Sequence, residues 1–481
     1  MSTPCSSYTL PPELYEALEK RINSGLKATL KADWPLKIWS FLLNNKTHIT
    51  DIKLSAPERI PAQDKFNILA ELHEFLSTDW QEKDSVIYLK MKAILESIIK
   101  RPNQKITKQE RYNIRKYFET TNDGSIFMTK FIDYVVSKNI LTPAAELLLN
   151  PYTSILNLHE IYLHIDTKYT VSYTFQGTRH KNIVLYTDSA RPPALLEPAN
   201  LCELVCRACI YPYLLDVDKF PESLSLYLVE FRKEFINIAG RDELVFTSSE
   251  INTGVTDGVN VAITREEESL KTVLHELYHF YDMDYRIKHI TLERELSSML
   301  NINNKLDSLN IFEAQTELVA SLINIIITTW FNMEHPASTT QTKSGLLELI
   351  KEQFIQQVIY SLYKMARVLL SSKCRAITNN SAECRITQTT NAVSYYIIKV
   401  FFYLGLADLA ETCIAKDNPG FIKNDKTTRV IESVIAKGTK SILLSKIMDY
   451  LLNPQGKQYK KVIESSARMT CQINNAGGGH Y

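Results

Sequence analysis

The sequence predicts an α+β protein, with a mixed helix-and-strand unit in the middle and mainly helical regions on either side. Three observations lead there. The middle of the chain carries short alternating, β-branched stretches, whereas the first 150 residues and the part beyond about residue 310 place apolar residues at three- and four-residue intervals. In the middle the order is strand, strand, helix, strand, strand, helix, helix, which suits layered sheet and helices. The length of 481 residues exceeds one typical core and allows two to four units. We therefore expect a helical region over 1–150, a mixed unit over 151–335 and a helical region over 336–481.

The elements follow in order. "PPELYEALEKRINSGLKATL" and "SVIYLKMKAILESIIKR" are amphipathic helices, separated by proline- and asparagine-rich joints. "KYTVSYTF" (168–175) alternates as a strand, "QGTRHK" is a turn, and "NIVLYT" (182–187) is a second strand. A helix is expected over 198–214, then strands at "SLSLYLVEF" (223–231) and "NVAITR" (260–265). "SEINTGVT" reads as an edge strand, to which an extended peptide could add. The "NVAITR" strand feeds a helix containing "HELYH", and a further helix covers 310–331. "SSKCRAITNNSAECR" is a loop, and the tail "NNAGGGHY" is expected to be flexible.

Composition narrows the function classes. Lysine plus arginine number 55 against 54 acidic residues, so no global field favours nucleic acid or an anionic membrane surface. The most apolar run, "LVASLINIIITTWF" (318–331), is shorter than the roughly 18 to 20 residues that span a bilayer and reads as a buried helix. The N-terminal stretch lacks the charged and apolar regions of a secretory signal, so a cytoplasmic protein is expected. Eight cysteines are scattered, and only Cys202, Cys206 and Cys209 cluster. They read as small apolar core residues rather than three sides of a metal site. This usage fits a reducing compartment better than a disulfide scaffold.

The chemistry concentrates in "KTVLHELYHFYDMD". His275 and His279 stand four apart, which on an α-helix leaves them about 40° apart in direction and one turn apart in height. Two imidazoles so placed can share one Zn2+ ion. Glu276 projects about 100° round from His275. Its carboxylate can take a proton from a metal-bound water instead of binding the metal. With ten histidines in the chain, the pattern arises by chance in about one such chain per hundred, so it is informative.

The chain supplies its own control. In "LHEIYLHID", His159 and Glu160 are followed by His164 at a spacing of five, which turns the two rings about 140° apart on a helix. Those surroundings read as strand-like, and the stretch is a decoy. His73, in "LHEF", has no partner histidine.

Zinc needs a third protein ligand and an open position for water. "NIFEAQTELVASL" offers Glu313 and Glu317, one turn apart on a helix. One can ligate while the other holds a histidine's second ring nitrogen. The alternative is an exposed acidic stripe. Asp284 can accept a proton from a metal-bound histidine or be a solvated residue at a helix end. Tyr278 and Tyr281 read as core or groove residues rather than as donors to a transition state.

"HELYH" and "EAQTE" together resemble the zincin metallopeptidases, specifically the gluzincin branch, whose third ligand is a glutamate on a later helix. The resemblance implies a zincin-like catalytic domain over 151–335 that binds Zn2+ and hydrolyses protein or peptide substrates. It implies Glu313 as ligand and Glu317 as the supporting carboxylate. The longer stretch "FTSSEINTGVTDGVNVAITREEESLKTVLHELYHFYDMD" resembles zincin-like proteins of large DNA viruses. Asn252, Thr253, Gly254, Thr256, Arg265, Lys271 and Asp284 carry that similarity, which implies a viral protein of the virion or infected cytoplasm. The expectation is a zinc-dependent peptidase with His275, His279 and Glu313 as ligands and Glu276 as general base. Its rivals are a non-catalytic structural or interaction protein that keeps the zincin fold, and a toxin-like peptidase aimed at one host protein.

Overall fold

A computed structural model of the chain describes residues 8–61, 68–78, 86–100, 106–119, 122–138, 147–149, 155–229, 245–247, 251–286, 290–304, 309–333, 343–377 and 384–464. Helices and a mixed seven-stranded sheet make up the architecture, as expected of an α+β chain.

The sheet is built from β1 (Ile49–Leu54), β2 (Glu58–Arg59), β3 (Thr167–Phe175), β4 (Thr178–Thr187), β5 (Ser223–Leu228), β7 (Gly254–Thr256) and β8 (Asn260–Ile263). The strand order is β1-β3-β4-β5-β8-β7, with β2 pairing β3. β4, β5 and β8 run parallel, while β7 is antiparallel to β8 and forms one edge. A second, parallel sheet joins β6 (Val245–Phe246), β10 (Ile386–Gln388) and β9 (Ile302–Asn304).

Both faces of the main sheet are covered. Leu224, Leu226 and Leu228 on β5, with Val261 and Ile263 on β8, point into the larger core. Tyr227 and Ala262, one residue out of phase, join a smaller core made by helices between residues 68 and 165. β5 is buried on both faces from Leu224 to Leu228, Ser225 included, although its sequence alternates as a one-sided strand would. The larger core also takes in the helices Pro12–Thr29 and Asp33–Leu43 and the C-terminal helices.

Four local expectations change. The turn between β3 and β4 is only two residues, Gln176 and Gly177, both with positive φ (48° and 88°). Such a turn matches the strand twist, so β4 starts at Thr178 instead of residue 182. "LHEIYLH" lies on a helix, Ile155–His164, and is not strand-like. Leu158 and Ile161 fall on its inner face, and helical spacing buries both in the smaller core. Within the first 150 residues, "ITDIKL" forms β1, because β3 offers it a free edge. Finally, Cys374 and Cys384 are joined by a disulfide across the loop, with sulfurs 2.03 Å apart. Cys202, Cys206, Cys209 and Cys413 are free, and Cys206 and Cys209 sit in the core as expected. Residues 230–231, the middle of the 371–385 loop and the tail "NNAGGGHY" lie outside the described residues.

Candidate metal centre

The helix carrying the histidines, Ser269–Phe280, is separated from the end of β8 by five residues. Val273, Leu274, Leu277 and Tyr278 bury its inner face completely. Lys271, His275 and His279, at four-residue steps, form a second line along the helix. The helix ends where Asp282 takes a left-handed conformation (φ 51°). The Asp282 amide donates to the His279 carbonyl and the Met283 amide to the Tyr278 carbonyl, which closes the last turn. That reversal returns Asp284 to the helix end. Its Oδ2 lies 2.7 Å from Nδ1 of His279, and Asp284 is fully buried. Arg286 Nε donates to both Asp284 oxygens, at 3.1 and 2.9 Å. The solvated-residue reading of Asp284 is therefore wrong.

The second helix, Phe312–Asn332, follows Asn310, which is also left-handed (φ 47°). It is long and apolar enough to cross a membrane by composition, but its residues from Ala314 to Ile327 are all buried within the fold. Glu313, in its first turn, points at the histidines. Its Oε2 lies 3.2 Å from Nε2 of His275 and 3.3 Å from Nε2 of His279, and the two Nε2 atoms are 3.1 Å apart. A four-coordinate zinc ion holds neighbouring nitrogen and oxygen ligands about 3.3 Å apart, so this triangle fits one face of such a coordination shell. Among the described residues, it is the only cluster of histidine, cysteine, aspartate or glutamate with ligand atoms this close.

Glu317, one turn later, is fully buried behind His275. Its Oε1 lies 2.9 Å from His275 Nδ1, an oblique approach rather than a linear hydrogen bond. Lys271 Nζ donates to the same oxygen, and Lys399 Nζ lies 3.4 Å from Oε2. An exposed acidic stripe is thus excluded for this glutamate pair.

Charges follow from this packing. Burial opposes protonation of His279, but the Glu313 and Asp284 carboxylates outweigh it and push its pKa up to about 10. His275 is raised in the same way by Glu313 and Glu317 against its burial. Glu313 is held low by the two histidines despite its burial, and Glu317 by Lys271, Lys399 and His275. Glu276 moves the other way: burial raises it, which makes it a better proton acceptor than a free carboxylate.

A cleft of about 290 Å³ opens over the triangle. β7 forms one wall and Glu276 faces it, while Asn391 and Tyr395 contribute from the other side. Tyr395 lies on a short π-helical turn, Ser394–Ile398, and its hydroxyl donates to Glu313 Oε2 at 2.9 Å. Asn391 Nδ2 donates to Glu313 Oε1 at 3.4 Å. Nothing in the sequence spacing marks Tyr395 or Asn391, which follow Glu313 by 82 and 78 residues. The two tyrosines near the motif turn away: Tyr278 donates to the Pro419 carbonyl and Tyr281 to that of Lys219.

In the control stretch, Glu160 is paired with Arg111 and lies 3.4 Å from His164 Nε2, and among the described residues His159 joins no cluster that could hold a metal. His73 is exposed on its helix. Set against known protein families, curated proteins and solved structures, the chain matches none, so the reading of this site rests on its own geometry.

Proposed function

We propose that the chain is a zinc-dependent peptidase of the gluzincin type. The observation that carries this reading is the convergence of His275, His279 and Glu313 on one point beside a buried Glu276. A mixed sheet whose antiparallel edge strand runs past the histidine helix supports a zincin-like fold for residues 151–335.

His275, His279 and Glu313 would hold the ion. Bound there, zinc supplies Lewis-acid polarisation of a carbonyl and lowers the pKa of a water molecule. The rest falls to the chain. Among the described residues β7 is the outermost strand of the sheet, and an extended peptide can lie along it as a further strand. Glu276, with its raised pKa, accepts a proton from water and passes it to the leaving amine. Burial and the neighbouring carboxylates hold the Tyr395 phenol well above its ordinary range, so it stays protonated; its single O–H, which donates to Glu313 Oε2 without substrate, would turn from that oxygen to donate toward developing negative charge on the substrate oxygen. Asp284 and Glu317 fix the two imidazole rings.

The test pairs metal analysis with N-terminal profiling of cleaved proteins. Purified wild type should carry one zinc per chain. Glu276→Gln should keep the zinc and lose cleavage by about 10² to 10⁴ in rate. A folded chain without zinc removes the reading. A chain that binds zinc but cleaves nothing in a peptide library makes it a non-catalytic zinc protein.

A further inference from the structure

Arg286 is the one well-exposed charged side chain among the described residues that line the cleft. It is 49% exposed, whereas the side chains of Lys271, His275, His279, Glu313 and Glu317 are exposed by 12% or less and Glu276 is buried. Its guanidinium is held in place from behind. Nε donates to both oxygens of the buried Asp284, at 3.1 and 2.9 Å. Nη2 donates to the His279 carbonyl at 3.2 Å. The Phe312 ring, which also lines the cleft, has its centroid 5.8 Å from the guanidinium carbon.

A guanidinium has five N–H groups. Asp284 takes up the Nε–H and the His279 carbonyl takes up one Nη2–H. Both N–H groups on Nη1 and the second on Nη2 have no partner among the described residues. An arginine that only neutralises a buried carboxylate commonly grips it with two parallel N–H groups. Here Nε alone bonds Asp284, and the remaining donors are left for another acceptor. Asp284 offsets part of the charge but does not occupy those donors. The anchoring contacts have already removed much of the side-chain freedom that binding would otherwise cost. A fixed, half-exposed guanidinium with unused donors matches the geometry of a carboxylate.

We propose that Arg286 is a specificity-determining residue whose Nη groups bind a carboxylate of the substrate. The proposal rests on the peptidase reading and names the substrate class of that site. The cleft is small, about 290 Å³, so the carboxylate belongs to a residue within a few positions of the scissile bond. It is supplied by an aspartate or glutamate side chain or by the C-terminus of the substrate.

The experiment compares kcat/KM for matched peptides on the zinc-loaded full chain. Starting from a sequence cut in a peptide library, each position in turn is made Glu or Gln, with both peptide ends blocked. A further pair has the same neutral sequence with a free or an amidated C-terminus. In wild type, Glu at one position or the free C-terminus should raise kcat/KM by about 10- to 100-fold, as a hydrogen bond between charged groups does. The first result assigns the carboxylate to a side chain and the second to the C-terminus, and either supports the proposal. Arg286→Gln should bring the ratio close to one. Arg286→Glu should favour a lysine over a glutamate at the same position or, where the C-terminus is read, the amidated end. Each ratio compares two substrates on one preparation. Zinc lost through a disturbed Asp284 lowers both rates alike, so an arginine that merely braces the fold predicts an unchanged ratio. Arg286→Lys keeps the cation without the fork, should lower the ratio part-way, and serves if the other variants do not fold. Cleavage by wild type without a carboxylate preference, or a preference that persists unchanged in the variants, overturns this inference alone. A wild type that holds zinc but cleaves no peptide removes the peptidase reading and this inference with it.

Discussion

Gly254 on the edge strand leaves the space that Glu276 on the histidine helix occupies. A Cβ at position 254 would lie 2.6 Å from Cγ and 2.7 Å from Oε1 of Glu276, closer than real atoms approach. It would also meet Thr272 Cγ2 at 2.8 Å. The absence of a side chain here lets the sheet edge run directly against the Glu276 carboxylate, the proton acceptor of the proposed mechanism. Gly254→Ala should therefore displace the Glu276 carboxylate. We expect kcat/KM to fall by about 10- to 100-fold through lost orientation, with zinc content unchanged. Stability should drop by about 1 to 3 kcal/mol from overpacking. Full activity with an unshifted melting point would show that Glu276 does not depend on this gap.

Asp284 holds His279 from behind. Its oxygen is 2.7 Å from His279 Nδ1 in a fully buried position. Asp284→Asn keeps the shape but not the charge, and should weaken zinc affinity by about 10- to 100-fold. Competition titration against a chelator checks this. An unchanged dissociation constant would mean that Arg286 already neutralises the carboxylate.

Tyr395 is a donor placed at the ligand triangle by its bond to Glu313 Oε2. Tyr395→Phe removes the hydroxyl alone. Loss of one such donor typically costs about 10² to 10³ in kcat. Zinc content and KM should change little, because the ring remains packed beside His275, with centroids 5.9 Å apart. A variant that loses zinc instead would make the tyrosine a structural support of Glu313.

The metal-free protein should be most stable at lower pH. The folded-state pKa of His279, about 10, stands above its ordinary value of 6.5. The stabilisation from its protonated form is fully present below about pH 6.5 and disappears as pH rises toward 10. Chelator-treated protein should thus melt several degrees lower near the alkaline end of that window than at its acid end. Zinc needs the unprotonated ring, so its protective effect should grow in the same direction. Melting curves at both ends, with and without zinc, measure both trends. A metal-free melting point that rises with pH across the window contradicts the charge assignment.

Much of this protein is readable from the sequence by itself. Period-2 alternation located β3 and β5, "NVAITR" read as a short strand, and the helices of His275 and Glu313 were expected from the sequence, because such signals repeat within a few residues. The four-residue step of His275 and His279 is likewise set by the helix alone, as is the one-turn separation of Glu313 and Glu317. Tertiary structure decided the rest. Asp284 meets His279 only because Asp282 adopts a left-handed turn, and the sequence there allows an exposed aspartate equally well. The helix of His159 looked like a strand because its burial depends on helices elsewhere in the chain. Tyr395 and Lys399 each reach their glutamate across 82 residues. No local periodicity encodes such pairs. They form because packing of the separate helices and the small β6-β10-β9 sheet brings distant backbone segments together, and a side chain's partner is fixed only once that packing exists.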